Sequence, residues 1–285
     1  MVLSQLVTFP PDFECEGRFP IDLSQAPSPR PGVAPPPIEI HDARPLQRAA
    51  ASQAAFFEAH GFVLLDHKTH VTDWDRDQAI YNAETEALIK EVLLPGRSLQ
   101  TVPNSDSLVR RGRGTSNGYA SGVHQDCGLS VDDYEQLVGA FAGQEIGRGW
   151  RRMYDSPTVD GFMMLDFWRP THMTQPLRHM PLALCEPNSV ARGDIVPTIV
   201  SGISPNSAPA YQMCLRRSPS HRWYYYPDMT VDEVLVFKLF DSRKSDAEPR
   251  LRSCFHTAFH DPTAPMGAEE RQSCEYRVGL FVLRS

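Results

Sequence analysis

Gly122-Val123-His124-Gln125-Asp126-Cys127 sets an imidazole and a carboxylate two residues apart. On a β-strand, residues i and i+2 point to the same face, so His124 and Asp126 aim at one point. Together they offer two of the three ligands of a 2-His-1-carboxylate facial triad for non-haem Fe(II). The third must be a histidine brought in by folding. His256, in Cys254-Phe255-His256-Thr257-Ala258-Phe259, is the first choice. His260, four residues on and on the same strand face, is its competitor. A His-x-Asp pair alone also suits a polar surface turn, so the rest of the chain has to decide.

The chain has 285 residues, of which 41% are hydrophobic, enough for a substantial core in one large domain or two modest ones. All-β barrels often use this length as a single domain. A net charge of −7 argues against a binder of phosphate backbones, so no nucleic-acid partner is expected. No apolar run approaches the roughly 18 residues that span a bilayer, and residues 1–6 lack the basic region of a signal peptide, so no membrane partner is expected either. The six cysteines include no Cys-x-x-Cys pair, and free thiols in a reducing, cytoplasmic setting are the plain reading. Cys127 and Cys254, beside the proposed ligands, read as small hydrophobes.

Residues 1–45 are rich in proline, most densely at 29–37, and read as an extended N-terminal arm anchored by Phe9, Phe13 and Phe19. Residues 46–285 form the remaining domain. A helix is expected over 49–60 with Gly61 as its cap, then a buried strand over 62–65. A second helix is expected over about 75–93, capped by Asp73 or Asp75, with Ile80, Ala83, Ala87, Leu88 and Val92 toward the core. Arg110-Arg111-Gly112-Arg113-Gly114 reads as a solvated basic loop or, alternatively, as a site for a substrate anion. Ser130 with Asp133 forms a capping-box pattern ahead of a helix through Leu137 and Phe141. Short β-branched or aromatic runs at 162–169, 194–200, 211–215, 222–226, 234–240, 251–259 and 273–283 alternate with Pro, Gly, Asn and Asp. The pattern predicts a mainly β protein with flanking helices, built as an antiparallel double-sheet barrel.

A ferrous centre with three protein ligands keeps three open positions. Two suit a bidentate 2-oxo acid and one suits O2. Full reduction of O2 takes more electrons than iron and substrate provide, and a 2-oxo acid supplies the remainder by losing CO2. If that acid is 2-oxoglutarate, its distal carboxylate needs a fixed cation, and arginine binds carboxylate with a planar fork. Arg271, Ser273, Glu275 and Arg277 fall on one face of an expected strand. Such a polar row is ordinarily solvent-exposed, but here it follows a proposed ligand. Arg271 with Ser273 ranks first as the clamp and Arg277 second. Trp168 and Arg169, ending an apolar strand, and Tyr224, within Trp223-Tyr224-Tyr225-Tyr226, are candidates for the substrate pocket.

The stretch Ala55-Phe56-Phe57-Glu58-Ala59-His60-Gly61-Phe62-Val63-Leu64-Leu65 resembles the helix-then-strand opening of many 2-oxoglutarate oxygenases. More specific is an ordered set: Val123-His124-Gln125-Asp126, Trp168-Arg169-Pro170, Pro181-Leu182-Ala183-Leu184-Cys185, Arg222-Trp223-Tyr224-Tyr225-Tyr226-Pro227-Asp228-Met229, Glu233-Val234-Leu235-Val236-Phe237-Lys238, His256-Thr257-Ala258-Phe259-His260-Asp261-Pro262 and Arg271-Gln272-Ser273-Cys274-Glu275-Tyr276-Arg277. Over roughly residues 55–283 the set resembles the CmcJ/NvfI-like family of Fe(II)/2-oxoglutarate-dependent oxygenases, which includes a cephamycin methoxylation protein, a fungal meroterpenoid endoperoxidase and gibberellin-desaturase-like proteins.

The resemblance implies a double-stranded β-helix (jelly-roll, cupin-like) core, Fe(II), 2-oxoglutarate and O2. By motif it implies His124, Asp126 and His256 as metal ligands, and Arg271 and Ser273 as the Arg-x-Ser of wider oxygenase families. It also leads one to expect Asn just before Trp-Arg-Pro, where Asp166 and Phe167 stand. The expected function is oxidation of a small-molecule substrate in specialised metabolism, by hydroxylation, desaturation, ring closure or endoperoxide formation, with release of succinate and CO2. The alternatives are a non-catalytic barrel that supports a partner enzyme and a metal-dependent cupin that uses no 2-oxo acid.

Overall fold

The computed structural model describes residues 1–24, 35–102, 108–112, 115, 118–120 and 122–284. Most of the proline-dense stretch, and Arg113-Gly114 of the basic loop, lie outside the described residues. The chain opens with β1 (Val2–Ser4), β2 (Phe19–Asp22) and β3 (Ile38–Asp42). The helix expected over 49–60 is shorter, α2 (Gln53–His60), and a separate α1 (Arg44–Arg48) precedes that span. Ser52 divides them, because its hydroxyl accepts the Ala55 N–H and starts a new helix. Gly61 ends α2 at φ 77°, and a Cβ there would also lie 2.8 Å from the Arg252 carbonyl. The apolar run that follows is the buried strand β4 (Phe62–Asp66).

Helix α3 (Gln78–Leu88) departs from expectation in its start and in its buried face. It begins after Asp77, whose carboxylate accepts the Thr72 and Asp73 N–H groups and so braces the preceding turn. Tyr81, Thr85, Ile89 and Leu93 face the core, whereas Ile80 is 40% exposed and Ala83 and Ala87 lie outside. The Thr85 hydroxyl returns its proton to the Tyr81 carbonyl, so this polar residue is buried without an unmet donor. The final turn, Ile89–Leu93, is π-helical.

After β5 (Leu99–Val102), β6 (Leu108–Gly112) and β7 (His124–Gln125) come α4 (Val131–Ala142) and α5 (Gln144–Asp155). The Ser130–Asp133 capping box is formed in both directions. The chain ends with β8 (Val159–Pro170), β9 (Leu182–Cys185), β10 (Ile195–Ser201), β11 (Ala210–Leu215), β12 (Trp223–Tyr225), β13 (Glu233–Arg243), β14 (Phe255–Ala258) and β15 (Gln272–Leu283).

These strands make two sheets. The larger runs β1-β3-β12-β9-β14-β7-β11-β10-β2, and the smaller runs β4-β13-β8-β15-β5 with β6 also paired to β15. Pairing is antiparallel except where N-terminal strands join, β2 on β10 and β3 on β12. The N-terminal strands β1 and β2 thus occupy the two ends of the larger sheet. Between them the Val123 N–H donates to the Val7 carbonyl and the Phe9 N–H to the Leu215 carbonyl. Val2 and Leu6 pack with Val123, Trp223 and Phe255 in a second apolar cluster, separate from the main core. Phe9, Phe13 and Phe19 pack on one another, with centroids 4.2–5.3 Å apart.

Candidate metal centre

Strands β7 and β14 are adjacent, and His124 and His256 stand directly opposite one another, their ring centroids 4.4 Å apart. Asp126 follows in the bend just beyond β7. One ligand atom from each of His124, Asp126 and His256 lies within 4.8 Å of the others. His124 Nδ1–H donates to the Gly122 carbonyl at 2.7 Å, and His256 Nδ1–H to the Cys254 carbonyl at 3.2 Å. A carbonyl only accepts, so each bond places the proton on Nδ1 and leaves the Nε2 lone pair free for a metal. His256 is buried, while His124 and Asp126 are half-buried, which leaves one side of the cluster open. His260 lies past the end of β14 with its side chain exposed, outside the cluster; its carbonyl accepts the Ser4 hydroxyl.

Charge around the cluster alternates. Arg277 Nη2 sits 2.8 Å from Asp126 Oδ2 and 3.4 Å from Glu275 Oε1, and Arg111 Nη2 lies 3.0 Å from Glu275 Oε1. Burial opposes the Asp126 charge, but Arg277 and the two histidines outweigh it and hold the carboxyl well below its usual range. Burial, then the neighbouring His124, pushes His256 down to about 4, so its imidazole is neutral at ordinary pH. Asp166, directly across from Arg277 on β8, is pushed well up by burial and by Glu275.

The row Arg271, Ser273, Glu275 is buried, contrary to the ordinary fate of a polar strand face, and Arg277 is only partly exposed. Both faces of β15 are covered, Cys274 and Tyr276 of the alternate row lying in the main core, so the polar row has no solvent-facing side to occupy. Arg271 is 1% exposed, and among the described residues no carboxylate comes within salt-bridge distance of it. Its Nη1 donates to the Met180 carbonyl, and its guanidinium lies 4.2 Å from the Tyr119 ring and 5.5 Å from that of Trp168. Its Nε and the Ser273 hydroxyl are buried without hydrogen-bond partners. Burial pushes the Arg271 guanidinium down to about 10. Two unmet polar groups and an unbalanced cation form a cradle suited to a carboxylate. Arg277, the second-ranked clamp, is already engaged by Asp126.

Trp168 lies opposite Glu275 on the inward face and beside Arg271. Arg169 does not join it, because strand neighbours alternate faces. Its guanidinium turns the other way, donating to the His67 and Val231 carbonyls and lying 5.9 Å from the Trp74 and Tyr81 rings. Tyr224 shares a sheet face with His256 but is separated from it by Leu184 of β9, about 10 Å at two strand spacings. It packs near Phe62 and His41. Arg110 and Arg111, expected in a loop, lie on β6 paired to β15, and are held in ion pairs with Asp75 and Glu275. Tyr119, Met180 and Phe237, whose ring is 4.9 Å from His256, carried no spacing signal in the sequence.

The family described as "Oxidoreductase/YMDC permease-like domain" matches residues 24–281. Similar proteins include the hydroxylase/desaturase CTB9 of Cercospora beticola, 26% identical across 79% of this chain and 71% of that protein. Another is the Fe(II)/2-oxoglutarate-dependent dioxygenase nvfI of Aspergillus novofumigatus, 25% identical across 87% of this chain and 84% of that protein. A solved structure of the iron and alpha-ketoglutarate-dependent endoperoxidase NvfI aligns with a TM-score of 0.70 at 23% identity, over 99% of this chain and 98% of the other. The mainly β fold with flanking helices is therefore shared with that structure.

Proposed function

The chain belongs to the oxidoreductase family whose description matches residues 24–281, and from that premise we propose that it is an Fe(II)/2-oxoglutarate-dependent oxygenase oxidising a small-molecule substrate of specialised metabolism. His124 Nε2, His256 Nε2 and a carboxylate oxygen of Asp126 would hold Fe(II), a donor set suited to that metal. Arg277 fixes the Asp126 carboxylate, and the Gly122 and Cys254 carbonyls fix the imidazoles, as outer partners of ligands do. Arg271 and Ser273 would take the distal carboxylate of 2-oxoglutarate, with Trp168 as a wall beside it. Ferrous iron bound there supplies the oxidising chemistry, with O2 and 2-oxoglutarate converted to succinate and CO2 as a C–H bond of the substrate is oxidised.

The observation that carries this function is Arg271, a sealed cation without a carboxylate partner among the described residues, on the same strand row as the arginine that pairs with Asp126. Neither a non-catalytic barrel nor a cupin without a 2-oxo acid has a use for it. Residues 46–285 are read as the oxygenase domain and 1–45 as an arm laid along it. A cytoplasmic location agrees with six cysteines that form no disulfide, and no helix among the described residues is long and apolar enough to cross a membrane. Iron binding to variants tests the ligand set. His124→Ala and His256→Ala should abolish Fe(II) binding, while His260→Ala should retain it; the reverse outcome for the last two would overturn the assignment.

A further inference from the structure

We propose that Gln125, the residue between the two β7-side ligands, is a positioning residue that sets both ligand-bearing segments through one amide group. The proposal rests on reading His124, Asp126 and His256 as the iron site. Gln125 is 0% exposed, between His124 and Asp126 in the chain. Its Nε2 donates to the Leu239 carbonyl and, at 2.7 Å, to the Ser253 hydroxyl. Its Oε1 accepts the Cys127 N–H at 2.5 Å. Both donors and the acceptor are thus engaged, each with a different segment of chain.

Each of those segments leads to a ligand or to a fixed reference. The bond to Cys127 N–H closes the bend that presents Asp126. Ser253 precedes Cys254, whose carbonyl receives the His256 Nδ1–H, and the Cys254 N–H donates to the Lys238 carbonyl at 2.9 Å. Leu239 marks the bulge where β13 slips register against β8 between Lys238 and Phe240. A bulge interrupts the ladder, and here the Gln125 amide donates to the Leu239 carbonyl at that interruption. The Asp126 bend and the approach to His256 are therefore both tied to one point on the opposite sheet. Every group in the network is buried, so a substitution cannot be replaced by water without rearrangement.

The test uses the full chain and Co(II) alone, whose visible bands report ligand geometry, with apo thermal unfolding measured alongside. Gln125→Met keeps the length of the side chain and removes all three hydrogen bonds. It is expected to weaken Co(II) binding about 10- to 100-fold, the usual effect of losing an outer partner of a metal ligand, and to shift the visible bands. A lowered melting temperature with unchanged Co(II) affinity and unchanged bands would overturn the proposal, leaving Gln125 a purely structural residue. Should Gln125→Met not fold, Ser253→Ala decides: it removes one bond and should weaken Co(II) binding about several-fold in the same direction, and unchanged binding and bands overturn the proposal. Wild-type protein that binds no Co(II) would overturn the metal-site reading and this proposal with it, whereas equal binding by wild type and Gln125→Met sinks this proposal alone.

Discussion

Replacing Arg271 by methionine is expected to weaken 2-oxoglutarate binding about a hundredfold or more while leaving the stability of the protein unchanged or raised, a combination seldom produced by removing a buried side chain. The guanidinium is 1% exposed, and burial pushes it below its usual range to about 10, so keeping it charged costs about 3 kcal/mol. Its unpartnered Nε adds about 1–3 kcal/mol. Against these stand one bond to the Met180 carbonyl, about 1.5–3 kcal/mol for a charged donor, and the face of Tyr119, about 1–2 kcal/mol. Methionine fills the space flexibly and brings no unmet donor. The two sides nearly cancel in the ligand-free protein. They do not cancel once a carboxylate is expected there, because leaving that charge without its partner costs about 3–5 kcal/mol, or two to more than three orders of magnitude in affinity. Anaerobic titration of Fe(II)-loaded protein with 2-oxoglutarate measures the affinity, and urea unfolding of the metal-free protein measures the stability. Unchanged 2-oxoglutarate affinity together with a loss of several kcal/mol in stability would refute the reasoning and make Arg271 a structural cation.

Arg277→Met should behave in the opposite way, lowering metal-free stability by about 3–5 kcal/mol because Asp126 loses its partner, with part of the loss restored by a bound divalent metal; urea unfolding with and without metal measures both. Glu186 accepts from His60 and Arg222, and those bonds, the one from His60 foremost, hold its pKa below the ordinary 4.5 despite partial burial. Its contribution is therefore complete above pH 4.5 and is lost as pH falls through the lower folded value, so wild type should exceed Glu186→Gln in stability at neutral pH and lose that advantage in strong acid. Acid unfolding curves for the two proteins check this. Deleting residues 1–9 uncovers Val123, Trp223 and Phe255 and removes the burial of Val2, Leu6 and Phe9, about 5 kcal/mol or more in total. The truncated chain should melt lower and bind a hydrophobic dye, and an unchanged melt would show that the segment does not support the sheet.

The residues that could be read from the sequence are those whose chemistry is tied to spacing. His124 and Asp126, two apart, and the Ser130–Asp133 cap keep their relation because it is local. The burial of Arg271 and Ser273 is not legible from polarity, which predicts exposure; it follows from the covering of both faces of β15, a fact of tertiary packing. Trp168 and Arg169 are adjacent in the sequence, yet strand alternation sends them to opposite faces, and register against β15 decides which one turns inward. Helix α5 does carry Ile146, Trp150, Met153 and Tyr154 at helical spacing, with Trp150 and Tyr154 packing beneath it, but two glycines, Gly147 and Gly149, and a mostly charged remainder make the segment resemble a loop. Tyr81 and Thr85 leave no core signal in the sequence because a hydroxyl-bearing face does not look apolar. The parallel pairing of β2 and β3 depends on partners far along the chain, which no local pattern encodes.

The most direct measurement of the central claim is the fate of 2-oxoglutarate on the iron-loaded protein. Under nitrogen, Fe(II) and 2-oxoglutarate together should give a weak visible metal-to-ligand absorption that His256→Ala abolishes. Admitting O2 should then release succinate and CO2, faster when a true substrate is present. Zinc-loaded protein should release none, because zinc cannot change oxidation state. Iron-loaded wild-type protein that binds no 2-oxoglutarate and forms no succinate with any substrate offered would contradict the account.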